Sequence, residues 1–92
     1  MIQFLVHEPK DSVGVATVDI KAGTLAKGTT LHSKEPVEIR VAQDIPLGHK
    51  IALVPLKTGD TVMKYGHDIG RMVAPAETGE LVHVHNLKTK RW

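Results

Sequence analysis

Ninety-two residues, 41% hydrophobic and 24% charged, describe one small globular domain and exclude a disordered segment. Twelve basic against ten acidic residues leave a net charge of +2, too balanced for a dedicated nucleic-acid or membrane surface. There is no cysteine, which excludes disulfide scaffolds and thiolate sites, and the single Phe, Tyr and Trp leave an aliphatic core to be built.

In chain order the elements read as short strands joined by tight turns. Residues 1–10 lack the charged start and apolar stretch of a leader, and no apolar run approaches bilayer length, so a cytoplasmic location is expected. A first strand is predicted over 3–7, followed by a Pro9-Lys10-Asp11-Ser12 turn. A second spans 13–20, where Val13, Val15 and Thr17 alternate with Gly14, Ala16 and Val18 before the turn Lys21-Ala22-Gly23. Residues 24–31 are weakly patterned and suggest a strand with a loop. Residues 37–42 alternate cleanly, with Val37, Ile39 and Val41 against Glu38 and Arg40.

Beyond residue 44 one pattern recurs. A proline precedes a glycine–polar pair by two to four residues, and an apolar strand follows. The glycines are Gly48, Gly59 and Gly79, and their unequal spacings of 11 and 20 residues exclude a solenoid array. They suit a small barrel-like β-fold whose turn geometry repeats. One short helical turn is admissible at 44–50, with Asp44 as cap and Pro46 in its first turn. Elsewhere every apolar stripe at helical spacing is broken by glycine or proline. The expected class is all-β, in a single domain covering 1–92. A core this small buries only about 60–65% of the unfolded surface, so a partner chain, or self-association when alone, would add stability.

Leu81-Val82-His83-Val84-His85-Asn86 carries the strongest chemical signal. As a strand it would place His83 and His85 on one face, about 7 Å apart along the backbone. Such a pair suits a metal or an anionic substrate, while two imidazoles alone make too few ligands for a tight site. The other reading is a pair of half-exposed histidines on a sheet edge. Gly48-His49-Lys50 sets an imidazole and an ammonium just after a turn, a corner able to take a carboxylate or simply a polar hairpin corner. Lys64-Tyr65-Gly66-His67-Asp68-Ile69-Gly70-Arg71 is dense in polar groups but reads as a strand-to-strand connection, its glycines marking a positive φ or a close backbone approach. His7-Glu8 and His32 lack partners in sequence and read as surface residues. The tail Lys88-Thr89-Lys90-Arg91-Trp92 is either a solvated end or a docking strap.

The succession Pro46-Leu47-Gly48-His49-Lys50-Ile51-Ala52-Leu53, Gly59-Asp60, Lys64-Tyr65-Gly66, Ile69-Gly70 and Gly79-Glu80-Leu81-Val82-His83-Val84-His85-Asn86 resembles the SAF domain of the altronate and galactarate dehydratases. The opening Phe4-Leu5-Val6-His7-Glu8-Pro9 and the closing Lys88-Thr89-Lys90-Arg91-Trp92 resemble the form in which that domain is a separate small (alpha) subunit, as in (2R)-sulfolactate sulfo-lyases and split altronate dehydratases. The resemblance implies a β-clip fold of strongly bent strands, a large dehydratase-like catalytic subunit as partner, and a divalent metal, Fe(2+), shared with it. It implies β-elimination on an anionic hydroxy acid, with sulfite or hydroxide as the leaving group. On that reading His83, His85 and His49 are catalytic, with His83 and His85 as metal ligands. Lys50, Lys64, Tyr65, Arg71 and Asn86 would contact the substrate. SAF-type domains also serve as binding or scaffold modules, and that alternative stays open here.

Overall fold

In a computed structural model of the chain, which describes residues 1–64, 67–83 and 85–88, nine strands form and no helix occurs among the described residues. β1 (Phe4–Val6), β2 (Val13–Ala16), β3 (Leu25–Thr30), β4 (Pro36–Arg40), β5 (Lys50–Ala52) and β8 (Leu81–Val82) form one sheet, in the order β4-β3-β1-β2-β5-β8. β6 (Thr61–Lys64), β7 (His67–Met72) and β9 (Leu87–Lys88) form a second. Each pairing is antiparallel except β1 with β3, which is parallel. The all-β expectation holds, and the short bent strands accord with a β-clip.

The turns carry the architecture. Four loops share one design: a buried apolar residue, then a glycine three positions later with φ of 88°, 84°, 94° or 89°. The residues are Ile20 and Gly23, Ile45 and Gly48, Leu56 and Gly59, and Ala76 and Gly79. The sequence pattern identifies the last three; the loop at Ile20 escapes it because no proline precedes Gly23. The loops join in pairs, Ile20 with Ile45 and Leu56 with Ala76, each through reciprocal backbone hydrogen bonds. In the first pair the acids cap across: Asp19 Oδ1 accepts from the Leu47 N–H and Asp44 Oδ1 from the Ala22 N–H, both at 2.8 Å. In the second pair each loop caps itself, through Asp60 on the Lys57 N–H and Glu80 on the Glu77 N–H.

This cross-capping explains why no helical turn forms over 44–50. The Asp44 carboxylate is committed to another loop, and Gly48 takes a left-handed conformation that ends any helical course.

Each loop pair sits within its own aliphatic cluster. Ile20 and Ile45 pack with Phe4, Val41 and Ile51, while Leu56 and Ala76 pack with Val13, Val62, Met72 and Val82. Phe4 is the one aromatic side chain in these clusters, and its ring covers Gly28, where any Cβ would overlap it.

Three sequence expectations are adjusted. The strand predicted over 13–20 ends at Ala16, because Asp19 and Ile20 are drawn into the loop pair. Residues 24–31 contain an unbroken strand, β3, stabilised by neighbours on both sides. The segment read as a connection, 64–71, contains most of β7, which long-range pairing with β6 and β9 supports despite its polar sequence. Gly70 is the close approach expected there, since a Cβ on it would meet the Lys88 backbone; Gly66 and the tail residues 89–92 lie outside the described residues.

Candidate functional site

β5 and β8 run antiparallel with Lys50 opposite Val82. The residue entering β5 and the residue leaving β8 therefore emerge together. These are His49 and His83, both half-buried, with ring centroids 4.5 Å apart and planes tilted by 44°. Lys50 also stands opposite Val15 of β2, and β6 is tied to the start of β2: the Ser12 N–H donates to Met63 O at 2.8 Å and the Met63 N–H to Ser12 Oγ at 3.2 Å. Lys64 thereby comes near enough to Lys50 for the two ammonium groups to repel.

The electrostatics follow from this crowding. Burial, and then the charge of Lys64, lowers the Lys50 ammonium from its ordinary value of 10.5. Desolvation, followed by the positive charges of His49, Lys50 and His85, holds His83 below the usual 6.5. His83 is thus favoured as a neutral imidazole around pH 7, with the His49 ring against it and the Lys50 ammonium close enough to act on it. That combination can accept a proton from an anionic molecule held by the lysines.

The segment after β8 departs from expectation. β8 stops at Val82, and His83 heads a turn in which Asn86 and Leu87 N–H groups donate to His83 O at 3.1 and 2.9 Å. The predicted strand across 81–86 is therefore corrected, and strand alternation does not relate His83 to His85. The cause is Asn86. Its side chain accepts from the His83 N–H and donates to Leu81 O, both at 2.9 Å, replacing partners a ladder would supply and turning the chain back. Asn86 was expected at the substrate; it is 3% exposed and its amide holds the His83 turn.

Of the other expected residues, His85 is exposed on this turn, close enough for its charge to act on His83. Arg71 lies exposed on β7 opposite Thr61 and Lys88, at the far end of β6 from Lys64 and about 10 Å along the strand. The cluster is thus His49, Lys50, Lys64 and His83 with His85 at its edge. Tyr65 lies outside the described residues.

Sequence reasoning passed over a second grouping. His7, Glu8 and His32 lie together, although 24 residues separate His32 from Glu8 in the chain. The parallel register of β1 and β3 joins them, a pairing that no local pattern announces. Among the described residues this is the one group of three donors close enough to hold a metal ion. His83 and His85 are not in such a group, so a cation on them would need its remaining ligands from outside the described chain. Near His7 an apolar cleft of about 150 Å³ opens between Leu5, Val15 and Leu31, with Asp11 and Lys64 also lining it.

The sequence profile of the altronate/galactarate dehydratase SAF domain matches residues 2–90. The chain is 45% identical over 92 residues to the (2R)-sulfolactate sulfo-lyase subunit alpha of Chromohalobacter salexigens, covering 99% of this chain and 98% of that one. The Paracoccus pantotrophus protein of the same name is 67% identical over 49 residues, 53% of this chain and 73% of its own length. The altronate dehydratase of Bacillus subtilis is 42% identical over 89 residues, 97% of this chain but only 17% of that enzyme.

Proposed function

Because this chain belongs to the altronate/galactarate dehydratase SAF-domain family, we propose that it is the small subunit of a two-subunit lyase that converts (2R)-3-sulfolactate to pyruvate and sulfite. The observation that carries this reading is the end-to-end match, 99% of one chain on 98% of the other, with a sulfo-lyase alpha subunit. A subunit alpha implies a partner, and the altronate dehydratase match indicates its scale: the aligned region is 17% of that enzyme. In our reading a large dehydratase-like subunit supplies what the remainder supplies there.

The chemistry asks for two things. Sulfolactate carries a carboxylate and a sulfonate, so cations must hold it, and we assign that task to Lys50 and Lys64, which are close enough for their charges to interact. The hydrogen on the carbon beside the carboxylate must leave as a proton while the sulfonate departs as sulfite from the next carbon. The resulting enol then tautomerises to pyruvate. His83, neutral near pH 7, is the group we assign to proton transfer, with His49 against its ring and Asn86 fixing its turn. Positive charge from the two lysines also stabilises the enediolate as it forms. A divalent cation, Fe(2+) in this reading, would polarise the substrate carboxylate when bound; His85 would be this chain's donor, because His83 spends its one lone pair on the proton, and the partner would complete the set.

The pH profile tests the assignment. Activity that needs neutral His83 is lost as pH falls through its pKa, which lies below 6.5, so the acid limb of kcat/KM should lie below pH 6.5. Lys50→Met removes a repelling charge, lets His83 protonate more easily and should move that limb upward. An unmoved limb in this variant would remove His83 from the proton-transfer role.

The reaction is tested by co-expressing the chain with its partner and measuring sulfite release. The complex should release sulfite from (2R)-3-sulfolactate and the isolated chain should not. The 42% identity to an altronate dehydratase supports a second reading, loss of water from a sugar acid. Altronate turnover without sulfite release would select it, and assembly without either activity would leave a scaffold module.

A further inference from the structure

We infer that His7, Glu8 and His32 form a binding site for a first-row divalent transition cation of the Zn²⁺ type. β1 and β3 are parallel with Val6 opposite Thr30, and the Leu31 N–H donates to Val6 O at 2.9 Å. The register carried past the strand ends sets Glu8 opposite His32, with His7 one position earlier.

His7 Nδ1 stands 3.5 Å and His32 Nε2 3.7 Å from one oxygen, Oε1 of Glu8, and all three donors lie within 4.8 Å of one another. Both distances exceed an ordinary N–H···O hydrogen bond. They are near the ligand–ligand edge of about 3.3–3.4 Å that metal–nitrogen and metal–oxygen bonds of about 2.0–2.1 Å give in a tetrahedral sphere. The imidazoles meet edge to face, with centroids 5.1 Å apart.

The two turns that carry the ligands are held from beneath. The Glu8 N–H donates to Asp11 Oδ2 at 3.2 Å, and Asp11 is 5% exposed. On the other side buried Thr30 bonds Ser33 Oγ at 2.6 Å and accepts from the Glu35 N–H at 2.9 Å, closing the turn in which Lys34 adopts φ 58°. Ligand positions set this way cost little ordering on binding. Two imidazoles and a carboxylate select a borderline cation over Mg²⁺ or Ca²⁺, which prefer all-oxygen shells. Three protein ligands leave at least one position for water or an external oxygen donor. The site does not depend on the lyase reading.

Titrating the full chain with Zn²⁺ by calorimetry tests this site. One Zn²⁺ per chain is expected, with the His7 and His32 imidazole NMR signals shifting on binding. His32→Ala and Glu8→Gln, folded by circular dichroism, should weaken binding by at least about 100-fold, the upper range for loss of a ligand's own hydrogen-bond partner. The His83→Ala/His85→Ala variant should bind Zn²⁺ as wild type does. Absence of stoichiometric binding in wild type, unchanged affinity in His32→Ala, or histidine shifts confined to His49, His83 and His85 would overturn the proposal.

Discussion

Alanine at His83 should lower turnover of the assembled two-chain enzyme by about 10²–10⁴-fold, the usual worth of a positioned acid–base group. The expectation rests on three features of one residue. His83 is kept neutral by desolvation and by its cationic neighbours. Its ring lies against His49 at the head of adjacent strands. Its backbone is gripped by Asn86 from one side and by the returning turn from the other. None of these contacts holds the core together, so the variant should fold and assemble as wild type. The loss should fall on kcat more than on KM, and the acid limb assigned to His83 should vanish from the residual activity. His85→Ala should cost less, because His85 is exposed at the edge of the cluster, moves no proton itself and would be one donor in a set that the partner completes. A His83→Ala complex with wild-type kcat would end the assignment.

The second large effect concerns stability, and the four repeated loops provide its internal control. Gly23, Gly48, Gly59 and Gly79 share φ between 84° and 94°, where an L side chain costs about 1–2 kcal/mol. At the first three a Cβ would meet nothing within 4 Å, so alanine should cost that amount and no more. At Gly79 the Cβ would be driven into the backbone carbonyl of Arg40, which cannot swing aside as a side chain would. The same loop donates its Gly79 N–H to Ala52 O and accepts the Ala42 N–H at Gly79 O, at 2.8 and 2.9 Å, binding β5 to the end of β4. Gly79→Ala should therefore cost about 3 kcal/mol or more, a large share of the stability of a small domain. Denaturant unfolding of the four alanine variants gives the comparison. Equal losses at all four positions would show that the Arg40 contact yields without strain. β8 begins two residues after Gly79, so displacement there should also disturb His83 and lower activity in proportion to the structural change.

Local chemistry in the sequence determined much of this protein. Aliphatic alternation, with glycine and proline at short intervals, was enough for an all-β domain, and the recurrent glycine turns marked three of the four loops. Gly48-His49-Lys50 and the His83 segment stood out by residue type alone, and both lie in the cluster. Periodicity and turn chemistry are properties of neighbouring residues and survive in a linear reading. Cross-strand register does not, because it is settled by which distant segments bury apolar surface together. Only the tertiary structure placed His49 against His83, brought Lys64 to Lys50 and left Arg71 at the far end of β7. It alone made Asn86 a buried brace that ends β8 early, since that role depends on where Leu81 O and the His83 N–H fall after folding. The grouping of His7 and Glu8 with His32 rests on a parallel pairing between β1 and β3, and parallel neighbours are joined through intervening chain rather than through a readable hairpin.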